Sequence, residues 1–317
     1  MKTQRTSSIR RGFTLMELMV AMAITTIIVT VLVSITSIAL DTWNRSRAEL
    51  RASRQAKTMI DTMARDFESL VIRRGNTSEW LSALAPDNPI GGNLQSTNAS
   101  DLIFFTAATD RYDGKIGDPI ADRGGDVSCV AYSLEYRDPL VTSGIGTYRT
   151  FVLNRLLINP DETFTKLLGL TDSTNVAKSL DSVFTAAFGP RLSDPKNFVC
   201  ENVFQFSVTF HVQITDTTQT PPTLVNYPIT IAQQNSGQTT KSFTIQGTGI
   251  KTELGAGRFS AAQVASGRIT AMEVSVTVIS DFGIDQLRNR SFTGSQQAEF
   301  LAKHSYEFSK LVQLPTM

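Results

Sequence analysis

The chain has 317 residues, a formal net charge of +1 and a charged fraction of 19 %. That length suits one or two domains and is enough to bury a sizeable core. No basic block lies beyond Arg11, so bulk charge argues neither for nor against a nucleic-acid partner and leaves a local basic groove open.

The first segment, residues 1–12, carries Lys2, Arg5, Arg10 and Arg11 and no acid. By the positive-inside rule, it holds the N-terminus in the cytoplasm. Gly12 has no Cβ, so it fits a peptidase site that demands close backbone approach. Residues 13–40 follow, and from Phe13 to Leu40 the only charged side chain is Glu17. No Gly or Pro occurs between Gly12 and Gly75, so nothing breaks a helix there. At helical rise the uncharged run makes a rod of roughly 40 Å, longer than a hydrocarbon core of about 30 Å. A carboxylate at membrane depth costs about 2.5–3.5 kcal/mol, so Glu17 calls for a partner or a purpose. An ordinary secretory signal has a shorter apolar core and a small-x-small cleavage site behind it. This run is longer, starts with an acid and lacks that site.

Residues 41–75 continue the helix with a different character. Asp41, Arg45, Arg47, Glu49, Arg51, Arg54 and Lys57 bring charge, while Leu50, Ile60, Met63, Ala64, Phe67, Leu70 and Val71 recur at three- and four-residue steps. This pattern is an amphipathic helix with one apolar face, predicted to reach about Arg73 and stop near Gly75-Asn76. Trp43 suits either the bilayer exit or the first core position of the head.

Residues 76–317 form the head. The Pro- and Gly-bearing stretch from Thr77 to Ser100 is a linker by composition, with one short helical turn over Trp80–Leu84. Strand-like text rich in Val, Ile, Phe, Tyr and Thr covers Asp101–Ala107, Val127–Tyr136, Tyr148–Ile158, Val199–Ile214, Thr239–Gly247, Arg268–Ile279 and Glu307–Leu314. Short turns separate these runs, without regular intervening helices. The expected fold class is therefore α+β, a long helical spine on a mainly antiparallel sheet. Residues 161–189 read as a loop with one or two helical turns. The Thr-, Gln- and Gly-rich segment 216–267 reads as an insertion carrying a long exposed hairpin, the part expected to touch something specific.

Chemistry is sparse in the head. His211, between Phe210 and Val212, reads as a satisfied sheet histidine, and His304 is the only other histidine. No nucleophile elbow, zinc-binding pair or phosphate loop occurs, so neither a catalytic residue nor a cofactor is expected. Asp110, Asp113 and Asp118 on a Gly-containing stretch form a weak calcium candidate, although Asp and Gly are also what any exposed turn contains. Cys129 and Cys200 both lie in strand-like text. Pairing them would close a loop of about 70 residues, worth roughly 4 kcal/mol in the loop-entropy view. Two separate buried thiols are the alternative.

Gly12-Phe13-Thr14-Leu15-Met16-Glu17, behind a short basic leader, resembles the class III leader of type IV prepilins and type II secretion pseudopilins. The resemblance implies a prepilin peptidase that cuts after Gly12 and methylates the new amine of Phe13. It implies that Glu17, fifth in the mature chain, pairs with the amine of a neighbouring subunit. Other pilin-like subunits and an assembly-platform membrane protein are the implied partners. The implied location is the inner membrane with the head periplasmic, and later a pilus or pseudopilus.

A head this large resembles those of J-type minor pseudopilins and W-type minor pilins. Trp43 to Gly75 is also similar to the Verru_Chthon cassette protein C group. Ser34 stands where many type IV pilins carry a helix-loosening proline, and Glu17 is unlike K-type tip subunits. The function these likenesses imply is a minor structural subunit that enters and primes a filament. The alternative is a filament-tip binding module, an adhesin or DNA-uptake subunit acting through the head, and only that reading brings a nucleic-acid partner.

Overall fold

A computed structural model describes residues 14–107, 126–141, 146–168, 179–216, 220–255, 257–290 and 293–314. The chain falls into two compact units, residues 1–50 and 51–317.

Helix α1 (Leu15–Glu68) is continuous for 54 residues, as the absence of Gly and Pro requires. Up to Arg51 its residues are exposed apart from half-buried Ala48. From Ala52 onward a stripe formed by Ala52, Ala56, Met59, Met63 and Phe67 is buried in the core of the second unit. The predicted extension to Arg73 is overturned, because non-local pairing takes over at Glu68. Leu70 bridges to Thr106, the Val71 amide donates to the Phe105 carbonyl at 2.9 Å, and the Ala107 amide donates to Ser69.

Strand β1 (Glu79–Leu84) replaces the helical turn expected over Trp80–Leu84. Trp80, Leu81 and Ala83 are all buried, on alternate faces of a sheet buried on both sides, so no polar alternation marked the strand. After a small ribbon of β2 (Ile90–Gly91) and β3 (Gln95–Ser96) come β4 (Asp101–Thr106), β5 (Ser128–Arg137) and β6 (Thr150–Ile158). The 161–189 region is more helical than expected. It holds α2 (Pro160–Thr163), a π-helical turn at Phe164–Leu168, and the start of α3 (Leu180–Leu192).

The single strand expected over Val199–Ile214 is split into β7 (Phe198–Glu201) and β8 (Val203–Asp216). Asn202 between them has φ of 62°, a left-handed conformation that Asn tolerates better than most residues. Then follow β9 (Thr223–Ile231), β10 (Thr239–Thr240), β11 (Ser242–Gln246), β12 (Gly249–Thr252), α4 (Ala261–Ala265), β13 (Arg268–Ile279), α5 (Asp281–Asn289), α6 (Gly294–His304) and β14 (Ser305–Gln313).

The strands form a seven-stranded sheet in the order β12-β11-β1-β4-β5-β6-β7 and a five-stranded sheet in the order β10-β9-β8-β13-β14. All neighbours are antiparallel except β9 and β10. The α+β expectation holds. The exposed-arm reading of 216–267 does not, since β9 pairs with β8 while β11 and β12 extend the larger sheet through β1. Tyr227, Ile229, Ile231, Phe243, Ile245 and Ile250 from this segment are buried.

The main core lies among the α1 stripe and the inner faces of both sheets, and includes the stacked pairs Phe67–Phe104 and Phe210–Phe243. A second core on the opposite face of the larger sheet is covered by Phe184 and Phe188 of α3.

Candidate functional site

The site built first by the sequence is the start of α1. Thr14 precedes the helix, and its backbone amide and Oγ1 each donate to Glu17 Oε2 at 2.9 Å. The Glu17 amide returns a bond to Thr14 Oγ1 at 3.2 Å. This reciprocal capping box satisfies two groups that a helix start leaves open. It also holds the one acid of the apolar run in the first turn. Beyond it Leu15, Met16, Met22, Ile27, Val33 and Ile38 are exposed. The side chains of Thr25, Thr26, Thr30 and Thr36 each donate to the carbonyl four residues back, so their hydroxyls present no unpaired donor to lipid. This helix is long and apolar enough to cross a membrane. Gly12 and Phe13 lie outside the described residues, as do Asp110, Asp113 and Asp118 of the calcium candidate.

The second unit grips the C-terminal half of α1 through buried polar contacts. The Asp66 carboxylate is fully buried and meets Arg155 twice, Nε to Oδ2 at 2.8 Å and Nη2 to Oδ1 at 3.0 Å. The Tyr132 hydroxyl donates to the same Oδ2 at 2.5 Å. Burial, together with the adjacent Asp66 charge, holds the Tyr132 phenol well above its ordinary pKa. Thr106 Oγ1 donates to the Asp66 carbonyl at 3.0 Å. Nearer the surface, Lys310 Nζ reaches Asp61 Oδ1 at 2.6 Å, and Arg51 reaches Asp281 at 2.9 Å. Sequence reasoning missed the Asp66 anchor. The available signal was an acid set among Met63, Ala64 and Phe67 on the apolar face of the helix.

The remaining candidates do not assemble into a site. Cys129 and Cys200 are both buried and free. Cys129 belongs to the core under α3, whereas Cys200 belongs to the main core on the other face of the sheet. The disulfide expectation therefore gives way to two separate thiols. Burial pushes the Cys129 thiol far up and the Cys200 thiol up to about 12. His211 sits in β8 with Nε2 at 3.8 Å from Glu273 Oε2. Among the described residues no group of three or more His, Cys, Asp or Glu side chains is placed to hold a metal.

A prokaryotic N-terminal methylation motif matches residues 7–33. Leader, long apolar helix and β-rich head together fit a type IV pilin-like protein. No curated protein and no solved structure matches the chain. For a pilin-like chain, the leader implies processing by a prepilin peptidase and assembly with other pilin subunits, and the helix implies membrane anchoring. The matched motif spans Gly12, Phe13 and Glu17.

Proposed function

We propose that this pilin-like chain is a minor subunit that enters, and helps to prime, a filament of a type II secretion or type IV pilus machine. Its N-terminus is cytoplasmic and its head periplasmic before assembly. A peptidase cuts after Gly12 and methylates Phe13, and the assembly platform then moves the subunit out of the bilayer. The function is assembly rather than turnover. Lateral packing of apolar helices supplies the filament core, and Glu17 sets axial register by pairing with a neighbour's Phe13-type amine. The observation that carries this reading is the exposed, unbroken apolar face of α1 with a single acid in its first turn. Among the described residues such a face has no partner, and lipid or other helices are the surroundings that suit it.

A head of about 240 residues, far more than an anchor needs, supports a minor subunit that selects its partners. The tip-binding alternative relied on 216–267 as a separate arm. That segment supplies β9, β11 and β12, so its deletion would damage both sheets. The test is incorporation. Glu17→Ala should insert and be processed normally yet appear in sheared filaments at a small fraction of the wild-type level. Wild-type incorporation of this variant would overturn the pairing role.

A further inference from the structure

The two large sheets have four outer strands, and three of them are short. β7 and β12 have 4 residues each and β10 has 2, whereas β14 runs for 9. β14 pairs with β13 without a register shift from Ser305↔Ile279 to Gln313↔Ala271. The bonds just beyond both ends of this ladder, Leu314 amide to Thr270 carbonyl and Ser280 amide to His304 carbonyl, fix its parity. Even-numbered residues of β14 exchange hydrogen bonds with β13, so the amides and carbonyls of Ser305, Glu307, Ser309, Leu311 and Gln313 point away from the sheet. The Ser305 amide donates to the Leu301 carbonyl, and among the described residues no hydrogen bond reaches the outward amides and carbonyls of Glu307, Ser309, Leu311 and Gln313.

Natural proteins guard such edges with proline, bulges, clustered charge or shortness. β14 has no proline and no bulge. Its second charge, Lys310, is engaged by Asp61, and Glu307, the acid on the outer row with an exposed Leu311, accepts one bond from Ser275 Oγ at 3.1 Å.

We infer that β14 is a docking edge on which an extended strand from the head of another pilin-like subunit pairs, continuing the five-stranded sheet. The inference rests on the subunit reading above. Strand addition of this kind draws affinity from main-chain bonds and specificity from alternate side chains. The fitting partner is a β-branched or aromatic-rich strand with a Lys or Arg opposite Glu307.

The experiment is site-specific photocross-linking of the full chain in its native membrane, with a benzophenone amino acid replacing Leu311 or, as control, Lys251 on the short edge β12. Leu311 should cross-link to a protein that itself carries a prepilin-type leader, at a site in one of its head strands, and Lys251 should not. Ser309→Pro removes only an outward amide and spares the β13 ladder, and it should lower that cross-link at least tenfold. A Glu307→Lys variant, which leaves every backbone bond in place, should lower it in the same direction. Cross-linking to lipid, to a second copy or to nothing would overturn the inference, as would full cross-linking by both variants. Leader processing and filament incorporation are scored in the same cells. Incorporation without the Leu311 cross-link defeats the docking edge alone, whereas an unprocessed, unincorporated wild type defeats the subunit reading beneath it.

Discussion

Arg155 on β6 and Asp66 in the last turns of α1 meet through two parallel contacts of 2.8 and 3.0 Å, with Asp66 wholly buried and the Arg155 side chain 14 % exposed. This is the fork-to-carboxylate geometry that only arginine provides. It fixes the end of the helix on the sheet at the residue pair where the chain turns from helical to extended pairing. Removing one partner strands the other charge in the core, a loss of about 3–5 kcal/mol. Arg155→Met should therefore lower the thermal midpoint of the head by roughly 6–20 °C, read by circular dichroism. Arg155→Lys should recover part of that loss and not all of it. A midpoint within 2 °C of wild type would count against the anchor.

Phe67 stacks on Phe104 with ring centroids 4.2 Å apart and an interplanar angle of 11°. Phe67→Ala should cost about 3–5 kcal/mol, because the rigid sheet on one side and the helix on the other cannot close the gap. Denaturant unfolding would read it as a lower midpoint at an unchanged slope.

Asp101 gives the head a pH signature. Burial, reinforced by Asp181 and Glu135 and opposed by a 2.6 Å bond from Ser133, raises its pKa from the ordinary 3.8 to about 6. The folded state then holds this proton more tightly than the unfolded state does. Stability from Asp101 is greatest below about pH 4 and is lost as the pH rises through 6, by about 3 kcal/mol at 1.36 kcal/mol per unit. Asp101→Asn should remove that slope and make the head more stable than wild type above pH 7. An unchanged slope in urea midpoints across pH 4 to 7 would refute this.

The buried thiols should be silent in the native state. Cys129 and Cys200 sit on opposite faces of one sheet with raised pKa values, so little thiolate forms at neutral pH. Maleimide should label neither until denaturant is added, and reductant should leave the electrophoretic mobility unchanged. A mobility shift on reduction would restore the disulfide.

At the leader, Gly12→Val should block processing and leave the precursor in the membrane, detected as a product larger by the leader's mass. Normal processing would sink the cleavage assignment.

The leader, the lone Glu17 and the unbroken helix were legible from residue order alone. Positive charge, the absence of helix breakers and an uncharged run act locally, and the bilayer reads them without any fold. The strand text of β4, β5, β6, β13 and β14 was legible for a similar reason, since β-branched and aromatic runs between turn residues have few other uses. Tertiary structure decided the rest. Residues 80–84 became a central strand and Leu70 left the helix, because pairing with distant strands outweighed local preference. The segment 216–267, polar in composition, was drawn into both sheets by its buried Tyr227, Ile229 and Phe243. Whether two cysteines share a face, or which edge of a sheet stays open, depends on register and strand order. Those are relations between residues far apart in the chain, and composition and spacing do not encode them.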